Sequence, residues 1–134
     1  MDTTLRPIGQ IHSTLTERKN APRQGNEGAP DAWLDIDPAY AKGLLGIAAG
    51  DEVLVFTWFH RSNRDTLQVH PRDLPANELA GVFATRSPDR PNPIGLHRVT
   101  VRAISGLRLR LGPIEAIDGT PVVDMKPVLS HDDR

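Results

Sequence analysis

The sequence predicts a mostly β protein: one small β-barrel of short antiparallel strands with long loops and at most one short helix. Two observations carry this. Twelve prolines and 11 glycines in 134 residues cut the chain into short pieces, since proline removes a backbone donor and blocks helix interiors. Within those pieces apolar residues alternate with polar ones or form short β-branched runs, and no stretch shows the 3.6-residue stripe of an amphipathic helix. Closing such strands into a barrel also removes exposed sheet edges. At this length one domain is expected, spanning residues 1–134 with a core over about residues 5–128, and burying roughly two-thirds of the unfolded surface.

The first strand falls within Arg6–Ser13, where Ile8 and Ile11 bracket Gly9. A polar, Gly- and Pro-rich surface loop over Arg18–Pro30 follows. In Pro38–Gly46, Asp37 is placed as N-cap, Pro38 at the first helical position and Gly46 as terminator, which gives one or two helical turns. The run Asp51–Phe59 (DEVLVFTWF) is β-branched and aromatic and reads as a strand across the barrel wall. Downstream, Val99–Ile104 and Leu107–Leu111 flank Ser105-Gly106 as a tight hairpin. Leu107, Leu109 and Leu111 face the core there, while Arg108 and Arg110 face solvent. A second hairpin is expected from Ile114–Ile117 and Val122–Met125 across Asp118-Gly119-Thr120-Pro121. The polar stretch Ser130–Arg134 reads as a frayed tail.

The charges nearly cancel, 16 Lys+Arg against 17 Asp+Glu, giving −1 with the histidines neutral. Many nucleic-acid-binding domains are strongly basic, so this balance argues against tight non-specific RNA binding. The absence of cysteine excludes disulfides, thiolate metal sites and cysteine nucleophiles, and makes a reducing cytoplasm the expected location. No apolar run approaches the ~18 residues of a membrane helix. His12, His60, His70, His97 and His131 show no paired spacing, so no metal site is expected. No serine nucleophile is expected either: Ser87 lies outside any strand-to-helix elbow, and no His–Asp pairing is readable.

The most unusual stretch is Gly81–His97, GVFATRSPDRPNPIGLH. It reads as a strand over Gly81–Thr85, a loop stiffened by Pro88, Pro91 and Pro93, and a second strand from Gly95. Two arginines and an asparagine among three prolines suit a preformed loop displaying Arg86, Arg90 and Asn92. The segment resembles the signature of the TsaA/TrmO family, and the similarity extends to Ile8–Ser13, Pro22-Arg23-Gln24 and Ala116–Pro127, covering about residues 6–127. The resemblance implies a small barrel that binds S-adenosylmethionine, a homodimer, and methylation of the exocyclic nitrogen of threonylcarbamoyl-adenosine beside a tRNA anticodon. Consistent with a barrel, the chain lacks the glycine-rich fingerprint of a Rossmann methyltransferase.

Matched residue by residue, Arg23 and Gln24 fall in a loop that approaches the cofactor, and His60 with Arg61 form the pair just beyond the aromatic strand. Arg86 is the signature arginine and Leu96 an apolar residue near the cofactor. Glu115, Ala116, Ile117, Asp118 and Gly119 form the stretch that closes the pocket. These types suit the ligand: arginine for a carboxylate, Asp or Gln for a ribose, backbone amides and aliphatic walls for an adenine. Arg90 and Asn92 are candidate substrate contacts, a guanidinium being fit to clamp a carboxylate or phosphate bidentately. His60 and Asp118 are candidate catalytic groups for removing the acceptor's proton. Arg102, Arg108 and Arg110 form an outward basic stripe, read as a solvated face before an RNA contact. Trp33 and Trp58 are read as core or interface before stacking platforms. Two other functions fit the same residues: a non-catalytic barrel that senses S-adenosylmethionine, and a methyltransferase of a small molecule.

Overall fold

The structure is a computed structural model that describes residues 1–17, 28–71 and 78–129. The expected tail, most of the expected loop over residues 18–30, and Arg23 and Gln24 lie outside the described residues. The strands in chain order are β1 (Gly9–His12), β2 (Ala32–Ile36), β3 (Glu52–Trp58), β4 (Gln68–Val69), β5 (Ala80–Gly81), β6 (Ile94–Ser105), β7 (Arg108–Gly112) and β8 (Pro121–Pro127). Six of them close an antiparallel barrel in the order β1-β2-β7-β6-β3-β8, and β4 pairs with β5 in a separate ladder.

Alternation drives the closure, because every second residue must leave water. Leu34 lies opposite both Ile11 and Leu109, Val53 opposite Val99, and Val101 opposite Leu111. Ile11, Leu34, Val55, Val101, Leu109, Leu111 and Val122 are fully buried, each contributing about 1.5–3 kcal/mol by transfer from water. Ile114 and Ala116, from the irregular segment after β7, join the same cluster.

The first hairpin forms as expected, with its turn one residue later, at Gly106-Leu107. Gly106 takes φ 60° there, a conformation open to glycine at little cost. The helical turns over Pro38–Leu44 are 3-10, capped by Asp37, whose side chain accepts from the Ala39 amide at 2.9 Å. Short helical pieces commonly take this tighter form.

Two expected strands do not form. The segment Ile114–Ile117 is apolar because it fills the barrel, not because it pairs. The backbone at its two ends ties neighbouring loops instead, Ile114 N–H donating to the Pro30 carbonyl at 3.0 Å and, just beyond the segment, Asp118 N–H to the Leu15 carbonyl at 2.6 Å. The second arm of that expected hairpin, β8, pairs with β1 and β3. Gly81–Thr85 is strand only at Gly81, and a 3-10 turn follows over Val82–Ala84. The Arg90 guanidinium holds that turn through the Val82 and Thr85 carbonyls.

Candidate functional site

At one end of the barrel the interior turns from aliphatic to polar. The inward positions of β3 run Val53, Val55, Thr57, and those of β6 run Val101, Val99, His97, Gly95. Thr57 is completely buried and His97 is 2% exposed. The His97 Nδ1 proton is donated to Glu115 Oε1 at 2.5 Å, and Nε2 lies 2.7 Å from Thr57 Oγ1. That tautomer is assigned from the network for a neutral imidazole facing a carboxylate that only accepts, which leaves Nε2 to take the threonine proton. The Phe59 ring meets the imidazole edge-on, with centroids 5.8 Å apart. Gly95 makes room for this packing, since a Cβ there would stand 2.3 Å from Thr57 Oγ1 and 2.5 Å from the Phe59 ring.

Hydroxyl, imidazole and carboxylate stand here in the order of a nucleophilic triad. Thr57 has no exposed surface from which to attack a substrate. The arrangement instead fixes Glu115, whose side chain retains 14% exposure.

From Glu115 the chain wraps the barrel mouth. Ser13 N–H donates to Asp118 Oδ1 at 3.0 Å, and Gly119 N–H, at φ 86°, donates to the Ile11 carbonyl at 2.8 Å. Arg61 donates to the Thr16 carbonyl at 3.2 Å from the other side. The segment Ser13–Thr16 therefore joins the Arg61 loop to Glu115–Gly119. His12 lies 2.8 Å from Asp35 and 3.7 Å from Asp118. Among the described residues, none accepts a hydrogen bond from the backbone amides of Glu115, Ala116 or Ile117. His60, beside Arg61, is exposed; partial burial, then the Arg61 charge, lowers its pKa from the ordinary 6.5.

The proline-stiffened loop docks on the same stretch after β3. Arg90 N–H donates to the Asn63 carbonyl at 3.0 Å, and Asp89 accepts from Asn63 N–H at 2.8 Å. Arg64 donates to the Pro91 carbonyl at 2.7 Å and to Asn92 Oδ1 at 3.1 Å, while its guanidinium lies over Trp58. Arg90 and Asn92, read from the sequence as substrate contacts, thus hold the loop's own shape. Arg86 is exposed. Leu96 is on the outer wall, 40% exposed, on the face of β6 opposite His97, so one chain does not bring it to the Glu115 side.

The basic stripe faces outward as expected, but it is matched by carboxylates. Arg102 and Arg110 flank Asp31 at 3.6 and 3.7 Å, and Arg108 bonds Asp35 at 2.6 Å. Trp33 and Trp58 are on the outer wall under Arg108 and Arg64 respectively, outside the core. Sequence reasoning missed His97 and Thr57; the signal was the alternation that carries Val101 and Val99 to His97 on one face.

Residues 10–134 match the family described as the tRNA-methyltransferase O N-terminal domain. The chain belongs to that family. The resemblance seen in the signature segment therefore holds, and the tRNA-methyltransferase O barrel is the scaffold that carries these residues. An S-adenosyl-L-methionine-binding protein of Archaeoglobus fulgidus is 39% identical over 122 residues, covering 91% of this chain and 86% of its own length. The crystal structure of TrmO from Pseudomonas aeruginosa superposes with a TM-score of 0.77 at 32% identity, over 99% of this chain. A second TrmO crystal structure gives 0.78 at 34% identity, also over 99% of this chain. The chain spans 58% and 60% of the length of those two structures. No helix among the described residues is long and apolar enough to cross a membrane.

Proposed function

We propose that this chain binds S-adenosylmethionine at the barrel mouth and transfers its methyl group to the exocyclic nitrogen of threonylcarbamoyl-adenosine beside a tRNA anticodon. The observation that carries the cofactor reading is the convergence of the Arg61 loop and Glu115–Gly119 on Ser13–Thr16, with the Glu115–Ile117 amides left without acceptors among the described residues. Those amides match the acceptor edge of an adenine, the Asp118 carboxylate a ribose hydroxyl, and the Arg61 and Arg86 guanidiniums a carboxylate. Membership of a tRNA-methyltransferase family and the name of the Archaeoglobus relative support the same reading.

Bound there, S-adenosylmethionine supplies an electrophilic methyl carried on a sulfonium. The protein's task is alignment, which alone contributes up to ~7–11 kcal/mol in well-oriented reactions. His60, whose neutral form is favoured by partial burial and then by the Arg61 charge, is suited to take the proton from the acceptor nitrogen, which is a poor nucleophile until it is lost. Asp118 is held by Ser13 and Leu15 in a fixed orientation and is the second candidate for that proton. The outward placement of Leu96, with Ile94 also 44% exposed, fits a site completed by a second copy of the chain.

Isothermal titration and transfer of a labelled methyl group into bulk tRNA from a strain lacking the endogenous activity test the proposal together. Expected are S-adenosylmethionine binding, its loss in a folded Arg86→Ala protein, and label in tRNA. Absence of binding by the wild-type chain refutes the cofactor reading. Binding without label in tRNA refutes the substrate and leaves the sensing or small-molecule reading.

A further inference from the structure

We infer that His97, backed by Thr57, is a positioning residue that pins Glu115 and so sets the Glu115–Ile117 backbone as the wall that reads the adenine of the ligand; this rests on the cofactor reading above. The imidazole has no freedom of its own. One nitrogen is engaged by Thr57 and the other by Glu115, and Phe59 packs on its edge. Glu115 is three residues from Asp118, which the Ser13 amide and the Leu15 carbonyl anchor independently. The chain between these two anchors is Ala116 and Ile117, 1% and 8% exposed. A short span fixed at both ends keeps one direction for its amides, and donors held in place before a ligand arrives cost little ordering on binding. His97 also links this wall to β6, the strand that the proline-stiffened loop enters, so the two recognition segments share one rigid support.

A purely architectural histidine would change stability alone, whereas a positioning one changes affinity in protein that remains folded. The test is isothermal titration of S-adenosylmethionine and S-adenosylhomocysteine into the full chain, well below each variant's melting temperature. The variants are Thr57→Val, His97→Leu and His97→Asn. Thr57→Val keeps the side-chain shape and loses only the hydroxyl. His97→Asn places an amide N–H near the position of Nδ1, so it preserves the donor to Glu115. Expected is binding of both ligands at least tenfold weaker in His97→Leu and several-fold weaker in Thr57→Val, with His97→Asn within about threefold of wild type. Should His97→Leu prove unfolded, Thr57→Val and His97→Asn still decide between the alternatives. Affinity unchanged in folded Thr57→Val and His97→Leu overturns the inference while leaving the cofactor site in place. Equal weakening in His97→Asn and His97→Leu overturns it too, because the retained donor would then have no value. No binding by the wild-type chain overturns the cofactor reading and this inference together.

Discussion

His60 stands exposed in the loop after β3, and partial burial followed by the Arg61 charge lowers its pKa from 6.5. In the pH window below 6.5 the unfolded chain binds this proton more readily than the native one. The stability associated with a neutral His60 is therefore present above 6.5 and is lost as pH falls through the folded value. An NMR titration of the imidazole is expected to give a midpoint below 6.5, moving part of the way back in Arg61→Gln while the burial contribution remains. A wild-type midpoint at or above 6.5 would contradict this account. His97 shows how far single residues are legible from sequence. Its inward direction follows from alternation with Val99 and Val101, but its partners come from β3 and from the segment after β7, which local pattern does not bring together.

At the scale of elements, the proline-stiffened loop owes its shape to one side chain as much as to its prolines. The Arg90 guanidinium bonds the Val82 and Thr85 carbonyls, so Arg90→Ala removes the support of the 3-10 turn. Hydrogen exchange should show the Thr85 amide, which closes that turn onto Val82, opening at least tenfold faster, with Val55 in the barrel wall unchanged. The stability cost is expected to be about 1–3 kcal/mol. Lysine should not rescue it, because a single ammonium does not reproduce a forked donor. Unchanged Thr85 exchange in Arg90→Ala would remove this role. The same loop explains a limit of reading elements from sequence: Gly81–Thr85 has strand composition, and an arginine several residues later turns it. Ile114–Ile117 looks equally strand-like, and burial inside the barrel accounts for its composition without any ladder.

Across the whole molecule, the fold class was legible because alternation and turn residues recur from end to end, whereas strand order depends on contacts between distant segments. The pairing of β8 with both β1 and β3 is the clearest case. That closure is also the weakest part of the ring. The β1–β8 register sets Gln10 against Pro121, which has no N–H to offer, and otherwise only Gly9 against Val122. β3 and β6, in contrast, stay in register from Glu52↔Thr100 to Trp58↔Ile94. Native-state hydrogen exchange should therefore show the Ile8 and Ile11 amides, which donate to Val122 and Thr120, opening at lower free energy than those of Val55 and Val99. Equal protection at the two places would show that the barrel opens only as a whole.

The carboxylates set among the outward arginines bear on how a polyanion meets this surface. Asp31 stands between Arg102 and Arg110, and Asp35 holds Arg108. A guanidinium already paired within its own wall has less to gain from a phosphate, since the phosphate must compete with a tethered carboxylate, and little is then returned by releasing condensed cations from the nucleic acid. The wall formed by β2, β7 and β6 is therefore a poor landing place for RNA despite its arginines, and a basic count along the sequence overstates its attraction. Attachment through that wall would vary only weakly with salt, and the proposed tRNA substrate would have to be met elsewhere, at the exposed Arg86 and the barrel mouth.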